Sequence, residues 1–177
     1  MSAIKLDGLT LASTANSAVN LDSGVVGSIQ GFGLYTLSSD ITSNSDVTGF
    51  TLQNSAPFTS KGSLITESSG VISFNSTGVY QISGSWALHH SSATDDTVII
   101  YTKIATDGST FTTQFRNQAT VDDSVLFNVM PTLAIINCTD TSLVKFKFSA
   151  ESITNSFIAG GGLGSNCYTQ IIVMKIG

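Results

Sequence analysis

The chain has 177 residues, a net charge of −5, 41% apolar residues and only 11% charged ones. That content suffices for one buried core and excludes a disordered chain, and 16 glycines suit strands and turns better than a helical bundle. The basic residues Lys5, Lys61, Lys103, Arg116, Lys145, Lys147 and Lys175 are scattered along the sequence, which argues against nucleic-acid binding, and no apolar run reaches the ~20 residues of a membrane helix.

Residues 1–29 are small and polar. Ile4, Leu6, Leu9 and Leu11 predict a short extended piece, and residues 12–17 have a loop composition. The start, Met1-Ser2-Ala3-Ile4-Lys5, lacks the apolar core of a secretion signal, so ordinary secretion is not expected. The segment is too poor in apolar residues to build a core alone. It reads as an arm that packs on something else, such as another subunit.

From about Gly31 the sequence alternates strands and turns. Residues 32–37 form a first strand and 38–46 a polar loop. Residues 48–52 and 62–66 read as short edge strands, and 70–74 as another, followed by the turn residues Asn75, Ser76, Thr77 and Gly78. Residues 79–88 are the clearest strand. Tyr80, Ile82, Gly84, Trp86 and Leu88 share one face, and Gln81, Ser83 and Ser85 share the other, so one face lies in a core. A turn cluster at 91–96 leads into a strand at 97–105, and Asp107-Gly108 predicts a hairpin with its return at 110–116.

The next strand starts at 124–129. Pro131 interrupts it, which predicts either two strands or one edge strand with a bulge, continuing at 133–136. Residues 143–150 alternate again, with Val144, Phe146 and Phe148 facing one way and Lys145 and Lys147 the other. Gly160–Gly164 reads as a flexible loop, and residues 168–176 close the chain. That last strand is apolar on both faces, through Tyr168, Ile171, Ile172, Val173, Met174 and Ile176, so both faces need a cover. One cover is the core. No helical period supplies the other, so a neighbouring subunit is expected. Many short strands between turns predict an all-β, two-sheet antiparallel sandwich.

No catalytic, cofactor-binding or metal site is expected. His89 and His90 point to opposite faces of a strand and cannot easily meet one metal. Ser91 and Ser92 near Asp95-Asp96 lack a nucleophile elbow. Asp95, Asp96, Asp122 and Asp123 carry the oxygens calcium takes but not the spacing of a known loop, and they read as solvated turn acids. The glycines at 160–164 do not read GxGxxG ahead of a helix. Cys138 and Cys167 form no metal pattern, and are either two buried thiols or a disulfide. Asn75-Ser76-Thr77 and Asn137-Cys138-Thr139 match the glycosylation sequon by chance. Tyr80 and Trp86 belong to the core, which leaves Tyr35, Tyr101 and Phe111 as aromatics for stacking on a sugar.

The run Gly70-Val71-Ile72-Ser73-Phe74-Asn75-Ser76-Thr77-Gly78-Val79-Tyr80 resembles the signature of the C1q/tumour-necrosis-factor-like jelly roll. So do Ser124-Val125-Leu126-Phe127 through Asp140 to Leu143-Val144-Lys145-Phe146, and the final Asn166-Cys167-Tyr168-Thr169-Gln170-Ile171-Ile172. Ile72 stands where that family usually has an aromatic, Asn75 where it often has proline, and Gln170 where a glycine is common. The resemblance covers residues 31–177. It implies a jelly roll of ten or so strands, a homotrimer whose first and last strands lie near the threefold contact, and no enzyme chemistry or cofactor. Animal members carry a secretion signal and a collagen stalk. Here Ile4-Lys5-Leu6-Asp7-Gly8 instead resembles the start of phage and large-virus structural proteins. The resulting expectation is a virion structural protein: a spike, fibre head, or capsid decoration or minor capsid protein. Residues 1–30 would be its anchoring arm on other capsid or tail proteins, and a host surface glycan or receptor a further partner. The alternative is a soluble C1q-like lectin or ligand-binding module of cellular origin.

Overall fold

The computed structural model describes residues 3–6, 9–15, 18–21, 30–54, 60, 62–90, 96–121, 127–161 and 169–176. Every regular element among them is a strand. Three lie in the N-terminal segment: β1 (Ala3–Leu6), β2 (Leu9–Ala15) and β3 (Ala18–Leu21), an antiparallel meander. The loop expected at 12–17 is therefore strand as far as Ala15. Small residues such as Ala12, Ser13 and Thr14 pair by their backbone without needing an apolar face.

The remaining strands are β4 (Gly31–Leu37), β5 (Ser45–Asp46), β6 (Phe50–Gln53), β7 (Ile65–Ser68), β8 (Val71–Phe74), β9 (Gly78–His90), β10 (Asp96–Ala105), β11 (Thr112–Val121), β12 (Phe127–Cys138), β13 (Lys145–Glu151), β14 (Ser156–Ile158) and β15 (Gln170–Lys175). They make two antiparallel sheets. One runs β12-β9-β15-β4-β6 with β14 added on β9, and the other runs β11-β10-β13-β8-β7 with β5 added on β13. The chain crosses repeatedly between them, so apart from the β7–β8 and β10–β11 hairpins neighbours within a sheet are not consecutive in sequence. This is the two-sheet antiparallel sandwich expected from the strand pattern, in the jelly-roll form that the resemblance implied.

Local chemistry explains the turns. Ser69 and Gly70 both have positive φ, at 51° and 82°, and join β7 to β8 as a tight two-residue hairpin loop. Glycine at 70 relieves the second position of strain, and the Glu67 carboxylate accepts its N–H at 2.6 Å. The Asp107-Gly108 hairpin forms as expected: Asp107 Oδ1 accepts the N–H groups of Ser109 at 2.9 Å and Thr110 at 2.7 Å. The Thr110 side chain first, and then these two N–H bonds, hold the Asp107 carboxyl at a pKa of about 2.

The polar loop at 38–46 is partly wrong as a reading. Ile41 bridges Ile158, and Ser45–Asp46 pairs with β13. Pro131 ends no strand. β12 runs through it in unbroken register with β9, from Phe127 opposite His89 to Cys138 opposite Gly78, with no bulge. The strand tolerates proline because it is the edge of its sheet.

The core is an aromatic bridge between the sheets. From β9, Trp86 meets Phe148 of β13 edge-on with ring centroids 4.9 Å apart, and Phe50 of β6 joins both. Phe146 continues to Phe74 and on to Tyr80, so the bridge returns to β9. The Trp86 indole donates to Thr132 Oγ1 at 2.9 Å. Any Cβ at Gly84 would collide with both partners of that bond, which is why the alternating face of β9 carries a glycine there. Ile72 is fully buried in this core, so an aliphatic side chain fills the place where the resembled family has an aromatic. Cys138 is a buried thiol whose pKa is raised, chiefly by burial, and Cys167 lies outside the described residues.

Candidate functional site

The two sheets share this core and turn very different faces outward. On the first sheet, alternation leaves Val129, Pro131, Leu133 and Ile135 of β12 pointing away from the core. Register then aligns them into rows. Leu133 stands opposite Ser83, Ser83 opposite Ile172, and Ile172 opposite Leu34. In the next row Ile135, Gln81, Met174 and Phe32 succeed one another across the same four strands. Leu133 and Ile135 are 58% and 59% exposed, and Ile172 is 37% exposed. Of the seven large apolar side chains exposed among the described residues, five lie here: Phe32, Val129, Leu133, Ile135 and Ile172. Concentration of exposed apolar groups on one flat face marks an interaction surface, whereas scattered ones need no explanation. The second face of β15, expected to need a cover, is only partly covered within the described chain, with Ile172 exposed and Met174 half-buried, and Tyr168 lies outside the described residues.

The outward face of the second sheet is polar and cationic. Lys103 of β10 stands opposite Lys147 of β13, and Tyr101 stands opposite Ser149. Lys145 lies on the same face opposite Ser73, and Arg116 of β11 opposite Tyr101. Four basic residues that are scattered in sequence are thus brought onto one sheet face by register, interleaved with Asp46 and Glu151. Lys147 Nζ sits 2.8 Å from Asp46 Oδ2 and 4.9 Å from the Phe111 ring centroid, and Lys103 Nζ lies 5.5 Å from the Tyr101 centroid. Burial raises the Asp46 pKa, but hydrogen bonds from Lys147 and Ser149 outweigh it and leave it lowered. A shallow depression of about 370 Å³ runs beside these groups, lined by Asn44, Ser45, Asp46, Lys103 and Glu151 among others. Of the aromatics considered for stacking, Tyr101 and Phe111 stand on this face. Tyr35 is buried, its hydroxyl accepting the N–H groups of Leu64 and Ile65 at 3.3 Å.

The remaining sequence candidates fall elsewhere. Asp95, Asp122 and Asp123 lie outside the described residues. Asp96 is not a solvated turn acid. It is 8% exposed and accepts bonds from the N–H groups of Thr154 and Asn155, each at 2.9 Å, from the Ser156 hydroxyl at 2.6 Å and from its neighbour Thr97 at 3.0 Å. Burial raises its pKa, and these bonds, led by Ser156, more than reverse the shift. It is a clamp holding the segment before β14 to the start of β10, with its oxygens already used. No group of three or more metal-ligating side chains occurs among the described residues. His89 and His90 end β9 opposite Phe157 and Ser156, and His89 stacks on Phe157 with centroids 5.1 Å apart.

Gly160 and Gly161, the described start of the glycine loop, are held rather than flexible. Gly160 donates to Asp40 Oδ1 and Gly161 to the Leu37 carbonyl, each at 2.8 Å. The Ser39 backbone leaves no room for a Cβ at Gly160. A cleft of about 430 Å³ between the Asp107 hairpin and β12 has Asp107 as its one carboxylate, already engaged by the hairpin.

No family model matches the chain, and no curated protein matches it by sequence. Solved structures do match by fold. Murine APRIL at pH 5.0 superposes with a TM-score of 0.56 at 10% identity, covering 82% of this chain and 98% of that one. Eiger TNF from S. frugiperda gives 0.57 at 9% identity, over 82% and 92% of the two chains. The vertex protein P5 of PRD1 gives 0.52 at 17% identity, over 85% and 99%. The fold is therefore a tumour-necrosis-factor-like jelly roll.

Proposed function

We propose that this chain is a non-catalytic structural module of a virus particle that works as a homotrimer, in particle reinforcement or host attachment. The observation that carries the reading is the exposed apolar face of the first sheet. A single chain that leaves Leu133, Ile135, Ile172, Val129 and Phe32 in water wastes their burial, worth ~25 cal/mol per Å². Copies of the same chain placing these faces together around an axis would recover it. The resembled family implies such a trimer, and the likeness to the PRD1 vertex protein supports a place on a virion as spike, fibre head or capsid decoration protein. Residues 1–30, with their separate meander, would anchor the module to other capsid or tail proteins.

The likeness to APRIL and Eiger TNF favours a second reading, a soluble ligand-binding or lectin-like module from a cell. Sedimentation equilibrium tests the trimer, and a monomer at micromolar concentration would reject it. Co-purification with particles separates the two readings. Deleting residues 1–29 should leave a folded trimer that no longer joins the particle.

A further inference from the structure

The second sheet carries four of the chain's seven basic residues on one outward face: Lys103, Arg116, Lys145 and Lys147. Among the described residues Asp46 and Glu151 are the acids on that face, which leaves it with four basic side chains against two acidic ones. Lys103 and Lys147 are direct cross-strand partners. Like charges directly opposite each other weaken a sheet, so stability alone does not account for this pair. One Asp46 carboxylate offsets it only in part, bonding Lys147 and acting on Lys103 through space. Neighbouring strands lie ~4.8 Å apart and same-face residues along a strand ~7 Å apart, so the cations form a grid rather than a point site. Tyr101 and Phe111 place aromatic rings within it, each beside an ammonium. The depression next to Lys103 adds the neutral hydrogen-bonding side chains of Asn44 and Ser45 but is also lined by the Asp46 and Glu151 carboxylates, so the anionic groups are placed on the side of Lys103, Arg116 and Lys145 away from it.

A repeated anion matches the grid, sugar C–H faces match the rings, and hydroxyls match the amide and serine. We propose that this outward face binds an anionic polysaccharide, a chain of sulfated or carboxylated sugars. Lys103, Arg116 and Lys145 meet the anionic groups, Lys147 orients Asp46 and Phe111, and Tyr101 takes a sugar face. The proposal deepens the attachment reading above and rests on it for its setting, naming the partner class at a host surface. It does not need the trimer, although a trimer would present three such faces and raise avidity.

The test is fluorescence anisotropy of a labelled heparin octasaccharide titrated with the full chain, at low and at physiological salt. Saturable binding that weakens with salt is expected. The double variant Lys103→Gln/Arg116→Gln should weaken it by roughly tenfold or more. The charge-keeping variant Lys103→Arg/Arg116→Lys should bind clearly more tightly than the double glutamine variant, which separates lost charge from lost folding. Lys175→Gln, which removes the same charge from the other sheet, should leave it unchanged. Absence of binding at low salt, or binding indifferent to the double variant, overturns the proposal. Equal or tighter binding of a labelled oligothymidylate of matched charge also overturns it, because the face would then be reading charge without sugar. The chain's sedimentation mass is read in the same buffer, so failure to trimerise and failure to bind sugar are separate outcomes.

Discussion

Leu133 on β12 and Lys103 on β10 occupy equivalent places, each on an outward face of the same sandwich. Around Leu133 register collects Ser83, Ile172 and Leu34. Around Lys103 it collects Lys147, Tyr101 and Arg116. The inward faces of the two sheets interlock through Trp86, Phe148, Phe146, Phe74 and Tyr80, and their task is shared. The contrast outside teaches that folding fixes only half of each strand. The other half is free to differ, and one sheet turns an apolar face outward while the other turns a polar, cationic one.

Removing the shared half should destroy both surfaces together. Trp86→Ala deletes a fully buried indole and orphans Thr132, and should cost about 3–5 kcal/mol in urea unfolding. Asp96→Ala comes next. It strips bonds from two backbone N–H groups of the segment before β14 and should cost about 2–3 kcal/mol by the same measurement. The pH sign follows from the lowered folded-state pKa of Asp96. Its stabilisation is fully present above the unfolded value of ~3.9 and is lost as pH falls through the folded value. Acid titration of Asp96→Asn should therefore show a shallower loss of stability below pH ~4 than the parent chain.

Substitutions on the outward faces should separate assembly from folding. Leu133→Asp with Ile135→Asp should change monomer stability by under ~1 kcal/mol while moving the sedimentation mass from trimer to monomer. An unchanged mass would remove the apolar face from the assembly. Smallest of all, Lys147→Met should alter stability by only ~0–1 kcal/mol, since it breaks a surface ion pair over an aromatic ring.

Elements with one buried face were legible in the sequence. The alternation in β9 and β13 placed Tyr80, Trp86, Phe146 and Phe148 in the core, where they are. The two-sided apolar character of β15 pointed to the face that stands only partly covered. What escaped was set by partners far away in the chain. The return strand expected at 110–116 starts at Thr112 and runs on to Val121, and that extension is set by the pairing of Asn117–Val121 with Asp96–Ile100 of β10 rather than by any local pattern. Asp96 looked like a turn acid because its partners Thr154 and Asn155 are 58 and 59 residues distant. The cations looked scattered because three strands contribute them.

Pro131 has one more consequence. It lies midway along the outermost strand of its sheet, has no N–H to offer a further strand, and its carbonyl already accepts from Asn117 Nδ2 of β11 at 3.3 Å. At the free edge of the other sheet, β11 carries an irregularity where Thr102 pairs Phe115 and Lys103 pairs Thr113, leaving Gln114 out of step. Both long edges are thus blunted against edge-to-edge growth. Edges of this kind disfavour open-ended, strand-by-strand growth of either sheet.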